Sequence, residues 1–302
     1  VRFNRAGQFH YLLDVEKHLV EVSETLRSQG KHLWDERSDE EQAAAVDEYK
    51  KFFADVNEKF GGKLRLYETD YFLFYSDMAE VEARLSVEYL TAMYLKLSEM
   101  FGVMPGDNVW RGKCVVVAFH NETDFHAFES RVMGNLNSEG AAGLHHGFSD
   151  GKSIISCKRG TNPSFYRVVL VHETVHGFLH RYRSSAHIKS WLNEGIADWV
   201  AGAVVPDSKE VQRRQRSARA RLLETRTLGP AFFEARNIES GDYGVASDMA
   251  DMMIHADPAA FRLLLDGIKE GQTWEESLQD SFGVTPEQLA ELYFRQRVVG
   301  SR

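Results

Sequence analysis

Apolar residues recur along residues 9–28 at spacings of three and four, at Leu12, Val15, Leu19, Val22 and Leu26, which predicts an amphipathic helix. A polar break around Gln29, Gly30 and Lys31 ends it. Ser38 and Glu41 then stand at capping-box spacing before a second helix that carries Tyr49, Phe52, Phe53, Val56 and Phe60 and stops at Gly61 and Gly62. Residues 1–62 read as an N-terminal helical hairpin with little chemistry of its own.

The pattern changes after Gly62. Leu64 to Tyr75 is dense in aromatic and branched residues and predicts one strand or a bent pair. Residues 78–101 place Met78, Val81, Leu85, Tyr89, Met93, Leu97 and Met100 on one helical face ahead of Gly102. Lys113 to His120 reads as a buried strand, 122–132 as a short helix, 133–151 as a Gly- and Asn-rich stretch, and Ser153 to Cys157 as another strand. From Ser164, a plausible N-cap, the chain is mostly helical. A second domain over 63–302 follows, with a sheet-containing half at 63–163 and a helical half at 164–302.

Composition narrows the function. The chain has 302 residues, 43% of them hydrophobic and 27% charged, which fits a globular protein and excludes a disordered one. No stretch approaches the roughly 18 apolar residues of a membrane span. The net charge of −9 disfavours nucleic acid as a partner. The only cysteines, Cys114 and Cys157, are too few for a zinc finger; one bridge or two buried thiols are both open. The chain begins at Val1 without a leader-type apolar segment, which leaves room for an exported protein whose leader has been removed.

The chemistry concentrates at His172-Glu173-Thr174-Val175-His176. Phe165, Val168, Val171, Val175 and Leu179 keep helical period through it. The i,i+4 spacing stacks His172 and His176 on one face, where both imidazoles can reach one Zn²⁺. Glu173 is turned about 100° away, which suits a base beside the metal better than a ligand. Such a site also needs a third protein ligand and an open position. Seventeen residues separate His176 from Glu194, in Trp191 to Val200, a second helix on which Glu194 and Asp198 share a face. Glu194 can complete a His₂Glu site, and Asp198 can hold the far nitrogen of a ligand histidine. The flanking Trp191, Leu192, Ile196, Trp199 and Val200 argue against a solvated acidic face.

These two segments together resemble the gluzincin metallopeptidases, the group of thermolysin and the M1 aminopeptidases. The resemblance implies His172, His176 and Glu194 as metal ligands, Glu173 as general base and Asp198 behind the ligands. The one-residue-shorter spacing departs from the usual M1 form, and Leu179 and Tyr182 stand where metzincins carry Gly and His. Over about residues 63–298 the order of elements is similar to the bacterial peptidase-MA-like (DUF1570-type) domains. That implies an α+β fold with a twisted, mostly antiparallel sheet, an active-site helix, a helical C-terminal half and a cleft between sheet and helices. The M1 GxMEN-type segment has no counterpart upstream of His172, and Ala141 to Phe148 lies in its place as an edge strand able to pair with an extended peptide.

The implied reaction is zinc-assisted hydrolysis of a peptide bond by a metal-activated water, with a peptide or protein as substrate. Tyr243, opening a predicted helix, is the candidate donor to the oxyanion, with Tyr166, Tyr182 and His255 as weaker ones. His145 and His146 stand in the presumed edge region, where they line the cleft or face solvent; His180 reads as structural. The arginines at 213, 214, 216, 219, 221 and 226 read as a solvated helix face, and Trp191 and Trp199 as core. Two alternatives stay open: a non-catalytic zinc-binding domain that holds a peptide or partner, and a zinc hydrolase of a non-peptide amide or ester.

Overall fold

A computed structural model describes residues 5–229 and 232–300, without side chains for 5–14 and 16, so the predicted core position Leu12 lies outside the described side chains. Among the described residues there are eleven α-helices and one five-stranded sheet, an α+β architecture.

Residues 64–75 form a hairpin, β1 (Arg65–Glu68) and β2 (Phe72–Ser76), in antiparallel register. The helix α3 (Glu80–Phe101) crosses back, and β3 (Cys114–Phe119) lies parallel to β2. After α4 (Glu122–Arg131), strands β4 (Gly143–Gly147) and β5 (Ser153–Lys158) pair antiparallel, and β5 enters the sheet parallel to β3. The order β1-β2-β3-β5-β4 therefore has a parallel centre with one antiparallel strand at each edge. This corrects the expectation of a mostly antiparallel sheet. The physical reason is the strand–helix–strand run 72–119: a crossover helix returns the chain to the same end and forces parallel pairing.

Parallel strands covered on both faces should be apolar throughout, and β2 and β3 are buried at every position. Their alternate residues feed two cores. Phe72, Phe74, Val116 and Ala118 join α3 and the helical half, whereas Leu73, Tyr75, Val115 and Val117 meet α4 and α2 (Asp39–Lys59). The predicted capping box of Ser38 and Glu41 starts α2, and its Tyr49, Phe53 and Val56 are part of the second core. Helix α2 is thus part of the sheet's second core. The first helix, α1 (Arg5–Ser28), buries Val22 and Leu26 beside Ala186 in a third, small cluster, while Val15 and Leu19 stay exposed. Residues 32–34 then attach to residues 183–185 through a Leu33–Ser184 bridge and the bonds Trp34 N–H to Arg183 O and Ser185 N–H to His32 O.

The helical half begins with α5 (Pro163–Arg181) and α6 (Ser190–Val204). The N-cap of α5 is Asn162, whose side chain accepts from Ser164 and Phe165 N–H; Pro163 follows as the first helical residue, so Ser164 lies inside the helix. Then come α7 (Glu210–Thr225), α8 (Tyr243–Ala256), α9 (Pro258–Lys269), α10 (Trp274–Phe282) and α11 (Pro286–Tyr293). Cys114 and Cys157 are buried free thiols that burial pushes well above the usual range, so they are inert. No helix among the described residues is long and apolar enough to cross a membrane.

Candidate metal centre

Helix α5 supplies His172, Glu173 and His176, and α6 supplies Glu194 and Asp198. The two helices pack closely, and α6 is held in turn against α8. A methyl group on Gly195 would stand 2.6 Å from Ala246 O, so only glycine permits that approach. Trp191, fully buried against Phe232, Phe233 and Trp274, anchors the start of α6, as expected of a core residue.

The i,i+4 pairs meet as their spacing predicts. His172 Nε2 lies 3.0 Å from Glu194 Oε2 and 3.1 Å from His176 Nε2, and His176 Nε2 lies 3.3 Å from Glu194 Oε2. The ligand atoms of these three residues all fall within 4.8 Å of one another, close enough to share one metal ion. On its far side His172 donates from Nδ1 to Asp198 Oδ1 at 2.9 Å. Burial opposes charge on His172, but its bonds to Asp198 and Glu194 outweigh that and raise it to about 10. A ring held between two carboxylates favours a cation on Nε2, and a metal ion can take the place of that proton. Glu194 and Asp198 both stay ionised: burial raises them, and the bonds to the histidines more than offset it. His176 Nδ1 is buried without a hydrogen-bond partner among the described residues, whereas His172 is fixed from behind by Asp198.

Asp198 has a second partner that the sequence did not announce. Arg214 on α7 donates to both its oxygens, at 2.8 Å each. The expected solvated face is therefore divided: Arg213, Arg216 and Arg226 are exposed, whereas Arg214, Arg219 and Arg221 turn inward to carboxylates. Arg219 binds the fully buried Asp248 and Arg221 binds Asp242. The available signal was Asp198 itself, because a carboxylate inside an apolar helix needs a cation, and the next helix along the chain is rich in them.

A cleft of about 680 Å³ opens onto the triad, bounded by β4, α5, α6 and Tyr243. Glu173 lines it and faces the sheet edge, where a methyl group on Gly143 would stand 2.9 Å from Glu173 Cγ and 2.7 Å from Val169 Cγ1. Tyr243 begins α8 and its ring centroid is 6.1 Å from that of His172. Burial, and then the charges of Glu194, Glu173 and Asp198, push its phenol far up, so it stays protonated and can donate. The other three candidates lie elsewhere. Tyr166 bonds Ser86 at 3.2 Å, Tyr182 bonds Phe101 O and Asp266, and His255 is exposed beside Asp251.

The strand period separates the adjacent histidines. His145 lines the cleft and meets Ser153 Oγ at 2.8 Å, whereas His146 is absent from the cleft lining and pairs with the buried Glu129 at 3.1 Å. His180 lines the cleft and donates from Nε2 to Phe148 O at 3.2 Å. Trp199 donates to Asp251 at 2.9 Å. No protein-family model matches this chain, and no curated protein matches it either.

Proposed function

We propose that the cleft is the active centre of a zinc-dependent metallopeptidase of gluzincin type. The carrying observation is the convergence of His172, His176 and Glu194 on one point, with Glu173 beside it and the Asp198–Arg214 pair behind it. Two imidazoles and one carboxylate are a donor set that suits Zn²⁺ and leaves a fourth position open. Bound there, zinc would acidify the attacking water and polarise the scissile carbonyl.

The protein's own groups have separate tasks. Glu173 takes the proton of the attacking water and delivers it to the leaving amine. Tyr243 keeps its proton and donates to the oxygen on which negative charge develops. Asp198 and Arg214 hold the His172 ring in one tautomer and orientation. Strand β4 is an edge strand that lines the cleft, so an extended peptide can add to it through main-chain hydrogen bonds. That edge favours a peptide over other amides or esters as the substrate.

The test is mass spectrometry of a complex peptide mixture incubated with the zinc-loaded chain, against Glu173→Gln as matched control. Cleavages confined to the parent are expected. The variant should retain zinc and lose roughly 10²–10⁴ in rate. Equal cleavage by both would remove Glu173 as base, and no cleavage by a zinc-loaded parent would favour a binding domain.

A further inference from the structure

The cleft is electrically lopsided. The carboxylates on its lining, Glu173 and Glu194, both stand at the triad. Its other end is lined by His145, His180 and His187 with the aliphatic Leu179, Ala186 and Ile188. There a second groove, of about 580 Å³, shares His187 and Ile188 and adds Lys31 and Lys189, against a single carboxylate, Glu275. Lys189 is engaged with Glu234 at 2.6 Å. Lys31 reaches only the amide oxygen of Gln29, at 3.0 Å, and has no carboxylate partner among the described residues.

A buried amine lies behind the wall. Lys269, the last residue of α9, is 1% exposed and donates to Leu179 O and Ala186 O, both at 2.9 Å. Its partners are carbonyls of two residues that line the cleft, and no carboxylate is paired with it among the described residues. A buried ammonium without a counter-charge is costly. Burial, with Arg181 and Lys31 adding to it, brings Lys269 down to about 7. His180 experiences the same field. Burial lowers it, its bond to Phe148 O opposes, and Lys269, Arg181 and His187 lower it further, to about 4. No carboxylate lines this end of the cleft among the described residues, and the charges that act on its buried amine, those of Arg181 and Lys31, are both positive.

We propose that the His180–His187 end of the cleft, with Lys31 at its rim and Lys269 behind its wall, is a subsite for a carboxylate of the substrate. This inference rests on the peptidase reading. It names the substrate class as peptides that present an acidic side chain, or a free C-terminal carboxylate, a short distance from the scissile bond. Such a group supplies the counter-charge that Lys31 lacks among the described residues, and its field favours the protonated form of Lys269 behind the wall.

The experiment compares cleavage of matched peptides that differ only as Glu against Gln, and as free acid against C-terminal amide. The first pair reads a side-chain carboxylate and the second a chain terminus. At low salt the acid form of one pair should be cut roughly two- to fivefold more efficiently, a range set by a partly exposed charge pair. The preference should shrink with added salt. Lys31→Glu and His187→Glu, both toward the surface, should abolish or invert it; Lys269→Met should reduce it, but the two surface variants decide the matter because they leave the buried clip intact. Cleavage without preference in either pair overturns the subsite and leaves the peptidase reading standing. If no peptide is cut, the same labelled pairs are titrated against zinc-loaded Glu173→Gln by fluorescence anisotropy. Acid-selective binding that Lys31→Glu removes upholds the subsite, and equal or no binding overturns it.

Discussion

Asp198 carries the largest electrostatic stake of any single residue in the centre. It is wholly buried, and its charge is balanced by His172 on one side and the Arg214 fork on the other. Asp198→Asn keeps the shape but no longer fixes the His172 tautomer, so zinc affinity should fall roughly 10–100-fold in a competitive chelator titration. Arg214→Met should lower folding stability by about 3 kcal/mol, the low end for a broken buried pair, because Arg214 keeps 26% of its side chain exposed. Denaturant unfolding of the metal-free protein reads that loss. Unchanged zinc affinity in Asp198→Asn would reduce Asp198 to a packing acid. At this scale the sequence was informative where spacing is local. His172 with His176, and Glu194 with Asp198, are each one helical turn apart, so one helix brings each pair together. Arg214 was not legible, because an arginine-rich helix satisfies solvent and buried carboxylates equally well in sequence, and only the packing of α7 on α6 and α8 decides between them.

Among the elements, the contact that sets the site is β4 against α5. Gly143 permits it: an added methyl group would lie 2.7 Å from Val169 Cγ1 and 2.9 Å from both Cys157 Sγ and Glu173 Cγ. Gly143→Ala must therefore push the edge strand outward or turn Glu173 away. Overpacking of this kind costs about 1–3 kcal/mol. On the peptidase reading, the expected result is a modest fall in melting temperature with a larger loss of cleavage and retained zinc, because the three atoms nearest the added methyl group belong to Val169, Cys157 and Glu173 and to none of the three proposed ligands. Loss of zinc in parallel with activity would show instead that the whole helix had moved. Element types and limits were largely readable from period and caps, as the capping box of α2 and the strand at 114–119 illustrate. Strand direction was not, since an apolar run looks the same in either orientation. The clue lay in the intervening α3, which makes a hairpin between β2 and β3 impossible. The split of His145 from His146 follows from strand period alone once residues 143–147 are known to be a strand.

At the scale of the whole molecule, distant parts of the chain converge on the wall that follows α5. Residues 32–34 pair with 183–185, and Ser184 donates to Lys269 O while Lys269 donates to Leu179 O and Ala186 O. The buried amine makes this assembly respond to pH in a defined direction. In the unfolded chain Lys269 titrates near 10.5 and in the folded chain at about 7. Between those values the unfolded chain holds a proton that the folded chain lacks, so stability rises with pH. Below about 7 both states are charged and the penalty is at its full size, and above 10.5 both are neutral and it is gone. At 1.36 kcal/mol for each pH unit, the contribution of Lys269 should grow by roughly 2–3 kcal/mol between about pH 7 and 9. Lys269→Met also leaves two carbonyls without a donor, which lowers stability by a constant amount at every pH. The difference in unfolding free energy between parent and variant separates the two effects, because the orphaned carbonyls set its offset and the lost titration sets its slope. A difference that widens with pH across that window is expected from parallel urea titrations. A flat difference would mean that Lys269 stays charged in the fold, with a counter-charge close by.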